Sequence, residues 1–126
     1  MKLDLKILLG NYKYVELSLA DALNLLIMLE EKFPDKVKDI TEVRRIIKNF
    51  DVFYDIARRK FKDYILIPHV PSDMLRGRVL FDKVKLIREG NARKIGLFFD
   101  KNIELEDIVR ILSNLGFEIN VIESFI

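Results

Sequence analysis

"VLFDKVKLIREGNARKIGLFFD", Val79 to Asp100, decides how this chain folds. Two runs of alternating apolar residues flank Glu89-Gly90-Asn91-Ala92, the pattern of a β-hairpin. The parity of the first run changes midway: Val79 and Phe81 fall on odd positions, Val84 and Leu86 on even ones. A one-residue slip turns a strand's faces over, so a β-bulge near Asp82-Lys83 keeps both pairs in one core. Lys83 and Lys85 then point outward. In the second run Ile95, Leu97 and Phe99 take the core and leave Lys94, Gly96 and Phe98 outside.

Downstream, IELEDIVRILSNLG predicts a helix with Leu105, Ile108, Leu112 and Leu115 inward and Gly116 as its C-cap. Phe117 to Phe125, with Phe117, Ile119, Val121 and Phe125 in alternation, predicts a last strand. Upstream, Tyr64 to Val70 is a short strand that Pro68 confines to an edge or an end. Before it runs one long helix, capped by Asp35 or Asp39 and ending near Lys62. Its seam of Ile40, Val43, Ile47, Phe50, Tyr54, Ala57 and Phe61 steps by three and four. A further helix, started by Ser18 with Asp21 as a capping box and stopped by Pro34, is apolar over so wide an arc that it packs on two sides. Lys2 to Leu9 and Tyr12 to Leu17 form an opening hairpin across Gly10-Asn11. The expected order is ββααβββαβ: a single α+β domain over residues 1–126 with a mainly antiparallel sheet, its C-terminal ββαβ ferredoxin-like in layout.

Composition narrows the chemistry. Half of the 126 residues are hydrophobic and a third are charged, the balance of a chain that folds fully. There is no cysteine, which excludes disulfides, thiolate catalysis and cysteine-ligated metals. There is no glutamine and a single threonine, Thr41, among many Lys, Glu, Asp, Arg and Ile, a usage expected of a thermophile, archaeal in style. Asp4 and Lys6 interrupt MKLDLKILLG, so no signal peptide or membrane helix is read there. A cytoplasmic protein without a membrane partner is expected.

The formal net charge of +2 hides an uneven distribution: the stretch Arg76 to Lys94 alone carries seven basic residues against Asp82 and Glu89. Lysines beside an exposed aromatic on a sheet suit a single nucleic-acid strand, whose bases stack while its phosphates need cations. The candidate nucleic-acid-binding residues are Lys83, Lys85, Lys94 and Phe98, with Arg76, Arg78, Arg88 and Arg93 at the rim. The partner expected is single-stranded RNA or DNA. The competing structural account is that lysines blunt an exposed edge against aggregation.

A second basic cluster, Arg58-Arg59-Lys60 and Lys62, complements a helix C-terminus, and joins a phosphate site only if the fold brings Arg76 and Arg78 to it. His69, the sole histidine, is a candidate general base that Asp73 could orient. Asp82, Glu89 and Asp100 with Lys83 and Lys94 suggest carboxylates on a sheet edge but match no nuclease spacing. No cofactor or metal motif and no catalytic set is read. The alternative expected is a homo-oligomeric or adaptor protein acting by protein contact, as a homodimer through Ile46, Val52 and Phe53 on the long helix or by edge pairing of the strand ending Glu123-Ser124-Phe125-Ile126.

Strand, strand, helix, strand from Val79 to Phe125 resembles the second half of an RNA-recognition motif. Its signature strand is matched at Arg93, Gly96 and Phe98 but not at Ile95, Leu97 and Asp100. The resemblance implies RNA bound on the sheet. Met1 to Pro34, a hairpin and a helix ending EEKFP, looks like the start of a β-grasp sulfur carrier. Such carriers act through a C-terminal Gly-Gly where this sequence has Phe125-Ile126, so that resemblance implies the local fold only.

Overall fold

The computed structural model describes residues 1–124. In chain order the elements are β1 (Lys2–Ile7), β2 (Lys13–Ser18), α1 (Leu19–Lys32), a 3-10 turn (Pro34–Lys36), α2 (Val37–Lys48), α3 (Phe50–Arg59), β3 (Tyr64–Leu66), α4 (Pro71–Leu75), β4 (Phe81–Glu89), β5 (Ala92–Phe99), α5 (Leu105–Asn114) and β6 (Glu118–Glu123). The strands form one six-stranded sheet in the order β3-β4-β5-β2-β1-β6. The class is α+β, as the sequence predicts. The sheet, however, is mixed: β6 lies parallel to β1 while the other neighbours run antiparallel. The ferredoxin-like layout is met only in part, because two strands, β2 and β1, separate β5 from β6.

Apolar alternation puts Leu5, Val15, Leu17, Val84, Leu86, Ile95, Leu97 and Phe99 on one face of the sheet. There they meet Ala22, Leu25, Leu26 and Leu29 of α1, Ile40, Val43 and Ile47 of α2, and Ile108 and Leu112 of α5 in one buried cluster. Ser18 Oγ accepts from the Asp21 amide at 3.1 Å, as the capping pattern predicts. The predicted long helix is instead two helices. Asn49 takes φ −116°, ψ 41°, and its side-chain amide donates to Arg45 O at 2.8 Å, closing α2. The seam survives the break through Ala57, but Phe61 leaves it: Phe61 is 98% exposed at φ +57°. It occupies the position after the α3 C-cap, with Lys62 N donating to Ala57 O and Phe61 N to Arg58 O, both 3.0 Å. Glycine is the usual occupant there, and that backbone costs an L-residue about 1–2 kcal/mol.

The hairpin and its bulge are as read, but β4 begins only at Phe81: Val79 precedes it, half-buried, and Leu80 takes the buried place. Gly90 takes φ 59° at the first of two turn positions between the paired Glu89 and Ala92. The register shift lies between Phe81 and Lys83, so Phe81 and Val84 both reach the core. The predicted place of Phe125 lies outside the described residues. Ile46, expected as a dimer contact, is fully buried in the core. Val52 is exposed, and Phe53 is half-buried with the Arg45 guanidinium 5.0 Å from its ring.

Candidate nucleic-acid interface

The sheet face opposite the helices carries residues of the other parity, and the registers align them in rows. One row runs Leu66, Lys83, Phe98, Tyr14, Lys6; the next runs Tyr64, Lys85, Gly96, Glu16. Lys6, Glu16, Ser18 and Leu66 are exposed, and Tyr64, Lys83, Lys85, Lys94 and Phe98 are half-exposed. Among the described residues, then, this face is open to a partner.

Its centre is a strip of rings and ammonium groups. Lys83 Nζ lies 4.4 Å from the Tyr64 ring centroid and 4.7 Å from that of Phe98. Phe98 in turn packs on Tyr14 with centroids 4.4 Å apart, and Lys62 Nζ sits 5.5 Å from the Tyr64 ring centroid. Lys85 is 3.6 Å from Asp63 and Lys94 is 3.5 Å from Glu89, ion pairs loose and exposed enough to yield to a ligand. Cation–π contacts of this kind are worth about 0.5–1 kcal/mol at exposed sites. They hold the Lys83 ammonium without neutralising it.

Gly96 has a role that alternation alone does not show. A Cβ built there would stand 2.4 Å from Tyr14 Oη, 2.7 Å from Tyr14 Cε1 and 2.9 Å from Lys85 Cβ. The protein's own Tyr14 ring therefore fills the space above the glycine, and no ligand backbone enters there. Tyr14 is 6% exposed and its hydroxyl donates to Glu16 Oε2 at 2.6 Å. Burial first, then this hydrogen bond to the carboxylate, hold the phenol well above its ordinary pKa, so it stays a neutral donor. Gly96→Val is expected to evict the ring, to cost about 1–3 kcal/mol by overpacking, and to expose Tyr14; denaturant titration and tyrosine fluorescence check this.

The eight candidate residues do not share one face. Lys83, Lys85, Lys94 and Phe98 lie together on the open face. Arg88 and Arg93, paired across the hairpin, share the parity of Leu86 and Ile95 and so project on the helix side. There they clamp Asp51 of α3, Arg88 Nη2 at 3.0 Å and Arg93 Nη2 at 2.9 Å. Hydrogen bonds from Arg93 and then Arg88 hold the Asp51 carboxyl below its usual pKa. Arg88 also lies 4.3 Å from the Tyr54 ring and Arg58 5.3 Å from the same ring. Arg76 and Arg78 follow α4, with Arg78 3.9 Å from Asp73. Arg78 precedes β4, whereas Arg88 lies near its other end, about 23 Å of strand beyond Phe81 at ~3.3 Å per residue. Arg58 therefore does not converge with Arg76 and Arg78.

A second region lies where β4 begins. His69, Lys36, Asp82, Asp100 and Glu104 line part of a cleft of about 460 Å³. Asp39, not Asp73, holds His69: Asp39 Oδ2 is 3.0 Å from His69 Nε2 and also accepts from Leu80 N at 2.7 Å and Phe81 N at 3.0 Å. Asp73 instead binds Lys38 at 2.9 Å, whose hydrogen bond lowers its pKa. Asp39 is 2% exposed; two of its bonds anchor the chain that enters β4 and the third holds His69. Lys13 is likewise buried, with Nζ donating to Ile103 O at 2.7 Å and Lys101 O at 3.1 Å. Burial lowers its pKa, and Glu104 and Asp100 partly offset this. Among the described residues no three His, Asp or Glu side chains converge to hold a metal ion. No helix of the described residues is long and apolar enough to cross a membrane.

Sequence reasoning missed Tyr14 and Tyr64 as members of the strip, Lys62 as its flank, and Asp39 and Lys13 as buried anchors. Tyr14 was legible, since Val15 and Leu17 fix the opposite parity. No family model, no curated protein and no solved structure matches this chain. The likenesses to an RNA-recognition motif and to a sulfur carrier thus rest on layout alone.

Proposed function

We propose that this protein binds single-stranded nucleic acid, RNA foremost, without catalysis, either alone or as part of a ribonucleoprotein. The reading is carried by one observation: Lys83 Nζ stands between the rings of Tyr64 and Phe98 on a sheet face that no described helix covers. An incoming base takes the place of the Lys83 ammonium on a ring face, and the displaced ammonium meets the adjoining phosphate. Duplex fits poorly, because its bases are already stacked and only its phosphates are offered. Lys62, Lys85 and Lys94 extend the cationic track along and beside the strip.

The test is fluorescence anisotropy with labelled single-stranded RNA, single-stranded DNA and duplex DNA at low and near-physiological salt. Single strands should bind better than duplex, and the binding should weaken steeply with salt as counterions are released. Absence of binding at low salt removes the reading. A second reading, contact with a protein, is favoured by Val70, Met74 and Leu75 on and beside α4, all exposed. If that reading is right, Leu75→Glu changes the sedimentation of the purified chain or of its complex and leaves anisotropy with RNA unaltered.

A further inference from the structure

Phe61 is the most exposed large apolar side chain of the described residues, and it sits in a left-handed backbone conformation that glycine would adopt without strain. At 98% exposure the ring contributes almost nothing to the fold, so the fold gives no reason for it. Strain and solvent-exposed apolar surface both weigh against a phenylalanine here, and such outliers point to a use outside the chain. What surrounds the ring indicates which use. Phe61 shares a shallow surface depression with Arg58, Lys62, Asp63 and Tyr64. A neighbouring hollow at the free edge of β4 also holds Arg58 and Lys62, together with Tyr54, Lys85 and Arg88. An exposed ring beside two cations, one carboxylate and a tyrosine is unlike a protein-contact patch, whose centre excludes lysine and gathers other apolar groups. It does match a base platform beside phosphate ligands.

We infer that Phe61 is a stacking residue at one end of the single-strand site, with Arg58 and Lys62 taking the adjoining phosphates. This rests on the reading above and lengthens the site: the strand would pass from Phe98 and Lys83 over Tyr64, round the α3–β3 turn, to Phe61. The turn is the sheet's exposed flank, since β3 is the edge strand. Arg58 lies 5.3 Å from the Tyr54 ring centroid and Lys62 5.5 Å from that of Tyr64. A strand leaving Tyr64 therefore meets charge on the way.

The experiment compares wild type, Phe61→Gly, Phe61→Tyr and Lys83→Glu for binding of a labelled oligouridine about ten nucleotides long, within the usual span of such sites. Phe61→Gly is expected to lower affinity about tenfold, the scale of one base–aromatic stack. It should also raise the melting temperature by a few degrees through the relieved backbone, roughly 2–5 °C. Phe61→Tyr should keep wild-type affinity. A Phe61→Gly protein that binds as wild type does, while Lys83→Glu does not, overturns the inference and leaves the sheet-face reading standing. Failure of wild type to bind at low salt overturns both. A sedimentation change in Phe61→Gly with RNA affinity intact also overturns it, assigning the ring to a contact between copies of this chain.

Discussion

Asp39→Ala should lower the stability of this protein more than any surface substitution, by about 3 kcal/mol or more, and its melting temperature by roughly 10 °C. The carboxylate accepts two backbone N–H groups, Leu80 at 2.7 Å and Phe81 at 3.0 Å, and meets His69 Nε2 at 3.0 Å. The Leu80 and Phe81 side chains are fully buried, so an alanine at 39 leaves both amides without water to replace the missing acceptor. Each orphaned buried donor costs about 1–3 kcal/mol. Asp39→Asn, which keeps an acceptor oxygen, should fall between the two. His69→Ala removes only one bond from outside and should cost about 1 kcal/mol. Urea denaturation of the four proteins tests the ranking, and an Asp39→Ala variant within ~0.5 kcal/mol of wild type would contradict it. The anchored amides immediately precede the bulge between Phe81 and Lys83, and the bulge decides that Lys83 and Lys85 face outward. The staple on the helix side thereby supports the charge on the open side.

Lys83→Glu is expected to weaken single-stranded RNA binding by about two orders of magnitude at low salt, because it removes one phosphate ligand and sets a carboxylate where that phosphate should lie. Its position explains the size. Among the described residues the Lys83 ammonium is the cation flanked by two ring faces of the strip, at 4.4 Å and 4.7 Å. A carboxylate there faces the negative faces of Tyr64 and Phe98 and repels the ligand as well. The dependence of affinity on salt should become shallower, by about 0.7 in logarithmic slope for each single-strand phosphate no longer neutralised. The Lys83 side chain is half-exposed and makes no hydrogen bond or ion pair among the described residues, so melting should shift only by a few degrees. Arg110→Glu, an exposed change on α5 behind the opposite, helix-covered face of the sheet, serves as the comparison. Over that distance its charge is screened, and its effect should stay within about twofold. Equal weakening in the two variants would reduce the binding to diffuse attraction by net charge.

How much of this is legible in the sequence depends on how local each cause is. The outward placement of Lys83, Lys85, Lys94 and Phe98 follows from period-2 alternation and one parity change, both contained within twenty-two residues. The same rule, applied strictly, assigns Arg88 to the side of Leu86 and Arg93 to that of Ile95; grouping them with the lysines overrides it for the sake of their charge. Their partner, Asp51, lies 37 and 42 residues away, a pairing that no local pattern encodes. Asp39 reads as a helix cap because an acidic residue at a helix start has that use locally, whereas the amides it binds lie 41 and 42 positions on. The break at Asn49 is visible as a residue that readily ends helices, but the apolar seam running through it at helical spacing conceals the junction. The insertion of β2 and β1 between β5 and β6, which makes the sheet mixed, is a matter of which strands neighbour one another, and periodicity is silent on that.

Amide and side-chain NMR of the labelled protein, titrated with single-stranded RNA to saturation, shows directly whether a single strand lies on the open face of the sheet. Shifts are expected at Tyr14, Tyr64, Lys83, Lys85, Lys94 and Phe98, extending to Phe61, with the Asp39–His69 region unmoved. Shifts confined to the His69 cleft or to α4, or no shifts at saturating RNA, would contradict that placement.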